Sequence, residues 1–267
     1  MTMSKKSFEK PELSVEDLSR ALYESNQKLM STIKERNEIY ANISHDLRSP
    51  ITAIRSSVEY LMSLDNPSRE EIDSSLKLIN ERSIVLEKMI GDIFTLTKMD
   101  SASYSLNLED VPIAPFLEEI FFSYEEDPKY AKRHMVLDID SDYMDVVKID
   151  TDNMKKVLDN IFNNAFNYSS DGDTITLSLQ KNENENCFVI SIADTGIGID
   201  EGNLNLIFNR SFRVSNARTP GSSQGAGLGL SICRSIVEKH GGSIWCSSPG
   251  LGKGSTFNIK IPYDKTE

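Results

Sequence analysis

The first hundred residues carry a rhythm that only paired helices satisfy. Leu22, Asn26, Leu29, Ile33, Arg36, Tyr40, Ile43 and Leu47 fall alternately four and three residues apart, the spacing of a coiled-coil seam, here with two polar interruptions. After Asn66-Pro67 the rhythm restarts at Ile72, Leu76, Ile79, Ser83, Leu86, Ile90, Ile93 and Thr97, with Ser68 placed to cap a second helix ahead of Glu70 and Glu71. Two amphipathic helices joined by so short a turn form an antiparallel hairpin. One hairpin has too little surface to cover both stripes, so the pattern predicts a homodimer in which two hairpins close into a four-helix bundle.

From about Tyr104 the texture changes to short β-like runs at Leu106 to Val111, Met135 to Ile139, Val146 to Ile149, Thr174 to Gln180, Phe188 to Ala193 and Thr256 to Ile261. Helical runs at Pro112 to Tyr124, Thr151 to Tyr168 and Leu228 to His240 alternate with them. The expected class is α+β: a helical hairpin, then an α/β sandwich with one sheet covered by helices. Three segments result, 1–34, 35–103 and 104–267. Thr174 to Gln180 and Phe188 to Ala193 are predicted to pair as a hairpin across the polar KNENENC stretch.

Composition narrows the partners. With 41 acidic against 29 basic residues the net charge is -12, which predicts no nucleic-acid partner and repulsion from an anionic membrane surface. No run of 18 apolar residues exists, so no membrane span is expected in this chain. Cys187, Cys233 and Cys246 are scattered with no CxxC pair, which points to a reducing cytosol. A membrane-bound sensor region ahead of residue 1 stays open.

Twelve of the 14 glycines lie between Gly196 and Gly254, a clustering that signals close backbone approach to something. Asp194-Thr195-Gly196-Ile197-Gly198-Ile199 follows a predicted strand and could set a carboxylate on a pocket floor beside glycines that admit a planar ring. Gly225-Ala226-Gly227-Leu228-Gly229-Leu230 runs into an apolar helix whose free N–H groups can cradle phosphates. No strand precedes it, so it is not a dinucleotide-binding fingerprint. Between them, after Ile207 to Arg213, Ser215 to Gln224 is too polar to pack tightly and reads as a lid. Upstream, Asn160, Asn163, Asn164 and Asn167 crowd one helix ahead of Tyr168. Asn is a mediocre helix former, and Asn160 and Asn164 share a face where amide oxygens could meet a hard cation or phosphates.

On the first helix, His45 lies between the seam residues Ile43 and Leu47 and is expected to face solvent, with Asp46 beside it and Pro50 expected to kink the helix. A neutral imidazole is nucleophilic near neutral pH.

Taken together, these segments resemble the transmitter region of a two-component sensor histidine kinase, over about residues 35 to 262. Ser44-His45-Asp46-Leu47-Arg48-Ser49-Pro50 is similar to its H box, Asn160 to Tyr168 to its N box, Asp194 to Gly198 to G1, Phe208 to Arg213 to the F box, and Gly225 to Leu230 to G2. Gly252 to Phe257 resembles the last glycine motif and final strand. The resemblance implies a Bergerat-type ATP-binding domain after a dimerisation and phosphoacceptor domain. It makes His45 the phosphoacceptor and Asp46 its proton acceptor, with Asn160 and Asn164 holding Mg²⁺ and phosphates, and Asn167 at a phosphate-contact position. Tyr168 would lie near adenine and Asp194 would accept a hydrogen bond from the adenine amino group. Gly196, Gly198, Gly225, Gly227, Leu228 and Gly229 would admit ATP, and Arg213, with Arg210, would stabilise the transferring phosphoryl group. The implied partner is a response regulator receiver domain.

Three positions depart from the family pattern. Ser49 stands where Thr or Asn is commoner, which bears on phosphatase activity. Asn167 replaces a frequent Lys and Ala226 a frequent Thr, each removing a phosphate contact worth about 1 to 3 kcal/mol if charge-assisted. These departures motivate a competing reading, a catalytically weak dimeric scaffold that docks signalling partners. A Bergerat-type ATPase or serine kinase would have no need of the hairpin carrying His45.

Overall fold

The computed structural model describes residues 15–101, 103–140, 145–210, 212 and 227–263. The chain divides into two compact units, Met1–His45 and Asp46–Glu267. Helix α1 (Val15–Ser63) runs from the first into the second and continues through Pro50 without interruption. In the first unit its seam residues Leu22, Leu29, Ile33 and Tyr40 are exposed. In the second, a turn leads to α2 (Arg69–Asp100), which opens on the expected cap. Ser68 Oγ accepts from Glu71 N–H, and the Glu71 carboxylate accepts from Ser68 N–H at 2.8 Å, a reciprocal box that satisfies two otherwise orphaned donors. Tyr60 Oη donates to Glu71 across the turn, and Ser57 and Ser75 are buried on the two helices.

The rest of the second unit builds one layer of sheet under one of helices. β1 (Glu109–Pro112) pairs antiparallel with β3 (Val146–Ile149), while β2 (His134–Asp138), β4 (Thr174–Asn182), β5 (Cys187–Asp194), β6 (Ser243–Ser247) and β7 (Ser255–Pro262) form a sheet ordered β2-β4-β5-β7-β6. Among the described strands only β2 and β4 are parallel. The predicted hairpin is present as β4 and β5, turned by Asn186 at φ 50°. Alternation chooses the inner face: Ile175, Leu177 and Leu179 of β4, Phe188, Ile190 and Ile192 of β5, and Phe257, Ile259 and Ile261 of β7 are buried. Over that face lie α3 (Ile113–Glu125), α4 (Thr151–Asn167) and α5 (Gly229–Lys239), contributing Leu117 and Phe121, Met154, Leu158 and Phe162, and Ile232 and Ile236. Each such side chain stabilises the layer by about 1.5 to 3 kcal/mol.

Three details differ from the sequence expectation. β6 was unforeseen, because Ser243-Ile244-Trp245-Cys246-Ser247 mixes polar ends with a short apolar centre. β1 starts only at Glu109, since Asn107 N–H is diverted to the Asp150 carboxylate at 3.0 Å. And α2, which packs on α5, has a second apolar face: Met89, Leu96 and Met99 are buried, while Leu76 and Ile90 of the predicted seam stay exposed.

Candidate functional site

The glycine-rich loop after β5 is held from three sides. Asp194 ends the strand, 7% exposed, with Oδ1 accepting from Gly196 N–H at 2.9 Å and Oδ2 from Ser255 Oγ at 2.6 Å. Burial pushes this carboxyl above the usual range, and the Ser255 and Gly196 hydrogen bonds pull it back in part. Ile197 N–H donates to Tyr168 O at the end of α4, Gly254 N–H to Gly196 O, and Gly252 N–H to Ile197 O. The backbones touch so closely that a Cβ on Gly196 would collide with Tyr168 O. Gly198, at φ 68°, is doubly required: a Cβ there would strike Gly250 O.

The second wall is α4 against the start of α5. Asn160 Nδ2 donates to Lys156 O at 3.0 Å, and its Oδ1 lies 2.8 Å from where a Cβ of Gly229 would be. Glycine is thus what lets α5 begin against the Asn160 amide. Gly227 turns the chain at φ 65° and Leu228, 1% exposed, anchors it. Asn164 and Asn167 are half-buried near the end of α4, and Tyr168, its C-cap, is 40% exposed. Asn163 turns elsewhere: its Oδ1 accepts from Lys129 Nζ at 2.6 Å. Among the described residues no group of three His, Cys, Asp or Glu could hold a metal. A cation held by the amide oxygens of Asn160 and Asn164 would need phosphate and water for most of its shell.

Helix α2 forms an outer wall that the sequence did not suggest. A groove of about 330 Å³ is lined by Lys88, Asp92 and Thr95 of α2 and by Lys156, Asp159, Asn160, Asn163 and Ile232. Burial raises the Asp92 carboxyl, opposed by Lys88. At the end of α2, Asp100 takes Arg210 in a two-pronged ion pair, at 2.8 and 2.5 Å. Tyr104 follows, its Oη accepting from Asn153 Nδ2 at 3.0 Å and its carbonyl from Lys239 Nζ at 3.4 Å.

Of the residues singled out from sequence, Asp194, Gly196, Gly198, Tyr168, Asn160, Asn164, Asn167, Gly227, Leu228 and Gly229 are brought together on these loops and helix ends. Arg213, Gly225, Ala226 and the Ser215 to Gln224 stretch lie outside the described residues. His45 is exposed on α1, facing solvent as expected, and Asp46 is half-buried. Ser255 and Asp100 were missed, having no local signature.

Two family models match the chain. The His Kinase A (phospho-acceptor) domain covers residues 35–102, and the histidine kinase-, DNA gyrase B- and HSP90-like ATPase covers residues 149–265. The chain is 35% identical over 234 residues to the sensor histidine kinase WalK of Bacillus subtilis, spanning 88% of this chain, and 36% identical over 227 residues to the sensor protein SrrB of Staphylococcus aureus, spanning 85%. In both cases it spans 38% of the relative's own length. The fold is similar to that of Acinetobacter baumannii histidine kinase AdeS (TM-score 0.61, 24% identity, covering 83% of this chain and 98% of that one). It is also similar to histidine kinase ThkA, solved in complex with the response regulator TrrA (TM-score 0.70, 23% identity, covering 91% and 66%).

Proposed function

We propose an activity from one premise: this chain belongs to the two-component sensor histidine kinases. It autophosphorylates His45 from ATP and passes the phosphoryl group to an aspartate on the receiver domain of a response regulator. The observation that carries this reading is the closed set of glycine-loop contacts around buried Asp194, on a chain that also presents His45-Asp46 on an exposed helix.

Asp194, fixed by Gly196 and Ser255, accepts a hydrogen bond from the amino group of adenine. Gly196 and Gly198 let the loop close on Tyr168 O and Gly250 O and so hold Asp194 in place, Tyr168 borders the ring, and the turn at Gly227 to Gly229 with the start of α5 receives the phosphates. Asn160 and Asn164 would hold Mg²⁺, which would offset phosphate charge, and Asn167 would reach the phosphates only as a neutral amide. The neutral His45 imidazole attacks the γ-phosphorus; an N–P bond forms, the bond to the ADP oxygen breaks, and the ring proton passes to Asp46. Arg213 stabilises the charge in flight, and Arg210 joins it on leaving Asp100. Asn160 is an amide and cannot deprotonate water, so transfer to His45 is favoured over hydrolysis. Two copies pair through the exposed seams of α1 and α2.

The scaffold alternative is not favoured, because a protein that only docked partners would have no use for a buried Asp194 held by two donors. Incubation with γ-labelled ATP and Mg²⁺ tests the reading, comparing wild type with His45→Gln. Label that is acid-labile, alkali-stable and lost in the variant is expected; a folded, dimeric wild type that takes no label would return the scaffold.

A further inference from the structure

His240 stands at the end of α5, 8% exposed, before Gly241-Gly242. By sequence it reads as a cation facing the helix C-terminus. The structure makes it a neutral acceptor instead. Asp150 N–H donates to its Nε2 at 2.9 Å, so the ring proton sits on Nδ1, where it donates to Ile236 O at 2.8 Å. Burial holds its pKa below the ordinary value, opposed by the Ile236 carbonyl and by the Asp150 charge.

Asp150 is the N-cap of α4. Its carboxylate accepts from Asn153 N–H at 3.0 Å, from Asn153 Nδ2 at 2.7 Å and from Asn107 N–H at 3.0 Å. His240 therefore ties the last turn of one site helix to the first turn of the other. From that joint the helices run antiparallel through matched rungs. Two turns along, Cys233 Sγ meets Val157 O at 3.7 Å, and about one turn further Gly229 abuts the Asn160 amide. A rigid helix pinned at one end has its other end fixed, so the joint controls how Gly229 faces Asn160.

We propose that His240 is a positioning residue for nucleotide binding: its bond to Asp150 N–H sets the register of α5 on α4, and with it the Asn160 to Gly229 approach. This rests on the kinase reading. Other charges on the elements packed here are engaged elsewhere: Lys239 with Tyr104, Glu238 with Arg234, and Lys260 of β7 with Glu185. On α2, Lys98 sits over the Tyr104 ring and Asp92 faces the Asn160 groove. Asp150 is thus the charge that acts on the ring.

The test compares the full chain with His240→Leu, which keeps bulk and loses the acceptor, and with His240→Gln, which keeps an acceptor and does not titrate. Mg-ADP affinity is measured by calorimetry from about pH 5.5 to 8, beside thermal melts and the KM and kcat for ATP in His45 labelling. At the alkaline end the Leu variant should bind ADP roughly tenfold more weakly, about 1.4 kcal/mol, with KM raised and kcat little changed. The Gln variant should recover most of this. As pH falls below the ordinary imidazole value toward the depressed pKa of the buried ring, wild type should weaken relative to Gln, which corrects for titration of ADP itself. Wild-type affinity in a folded Leu variant, loss in proportion to unfolding alone, or no rescue by Gln would each overturn the proposal. A wild type that binds ADP but never labels His45 would instead sink the kinase reading.

Discussion

At the scale of single residues, the proposed nucleotide site centres on one carboxylate at which two donors are aimed. Asp194 takes Gly196 N–H and Ser255 Oγ–H, so the Asn side chain, isosteric with it, must turn an NH₂ toward one of two donors. Asp194→Asn should weaken ADP binding by about ten- to a hundredfold, 1.4 to 2.7 kcal/mol, read by calorimetry; unchanged affinity would remove Asp194 from adenine recognition. His240 gives a pH prediction with a definite sign. Its folded pKa is depressed, so its stabilising effect is complete above the unfolded value of about 6.5 and is lost as pH falls toward the folded value. Melting temperature should drop across that window more in wild type than in His240→Gln. Asp194 was legible in sequence because an Asp ahead of two spaced glycines follows an alternating strand. Ser255 and His240 were not, since what makes each matter is a partner 61 or 90 residues away.

At the scale of elements, α2 is the helix with two allegiances. Its periodicity gave one stripe, and that stripe is partly exposed, while Met89, Leu96 and Met99 form a second that packs on the ATP-binding domain. A heptad reading finds the regular repeat and passes over the irregular one, because methionine and threonine at broken spacing look like a solvated face. The Asp100–Arg210 pair at its end engages an arginine assigned to the phosphoryl group. Both partners are partly exposed, so the pair is worth about 0.2 to 1 kcal/mol. Asp100→Asn should therefore raise the initial rate of His45 labelling by up to about fivefold. A slower rate would mean that this contact belongs to the working geometry rather than restraining it.

At the scale of the whole molecule, the exposed seams set what the chain does in company. Leu22 and Leu29 on α1, and Leu76 and Ile90 on α2, are apolar and more than two-fifths exposed, a pattern that calls for a partner surface. Replacing Leu76 and Ile90 together by Asp removes four apolar side chains from a symmetric pair and should weaken dimerisation by about a thousandfold or more, seen by sedimentation equilibrium. Variants that stay dimeric would place the interface elsewhere. The parallel pairing of β2 with β4 has a consequence in time. Its two strands are separated in the chain by β3 and α4, so the sheet cannot begin to close until that whole stretch has left the ribosome, whereas the α1 to α2 turn with its capped start needs only neighbours. During synthesis the α1 to α2 hairpin is therefore ready before the five-stranded sheet is, and a pairing of two nascent chains through it would come before the sheet of either copy has closed.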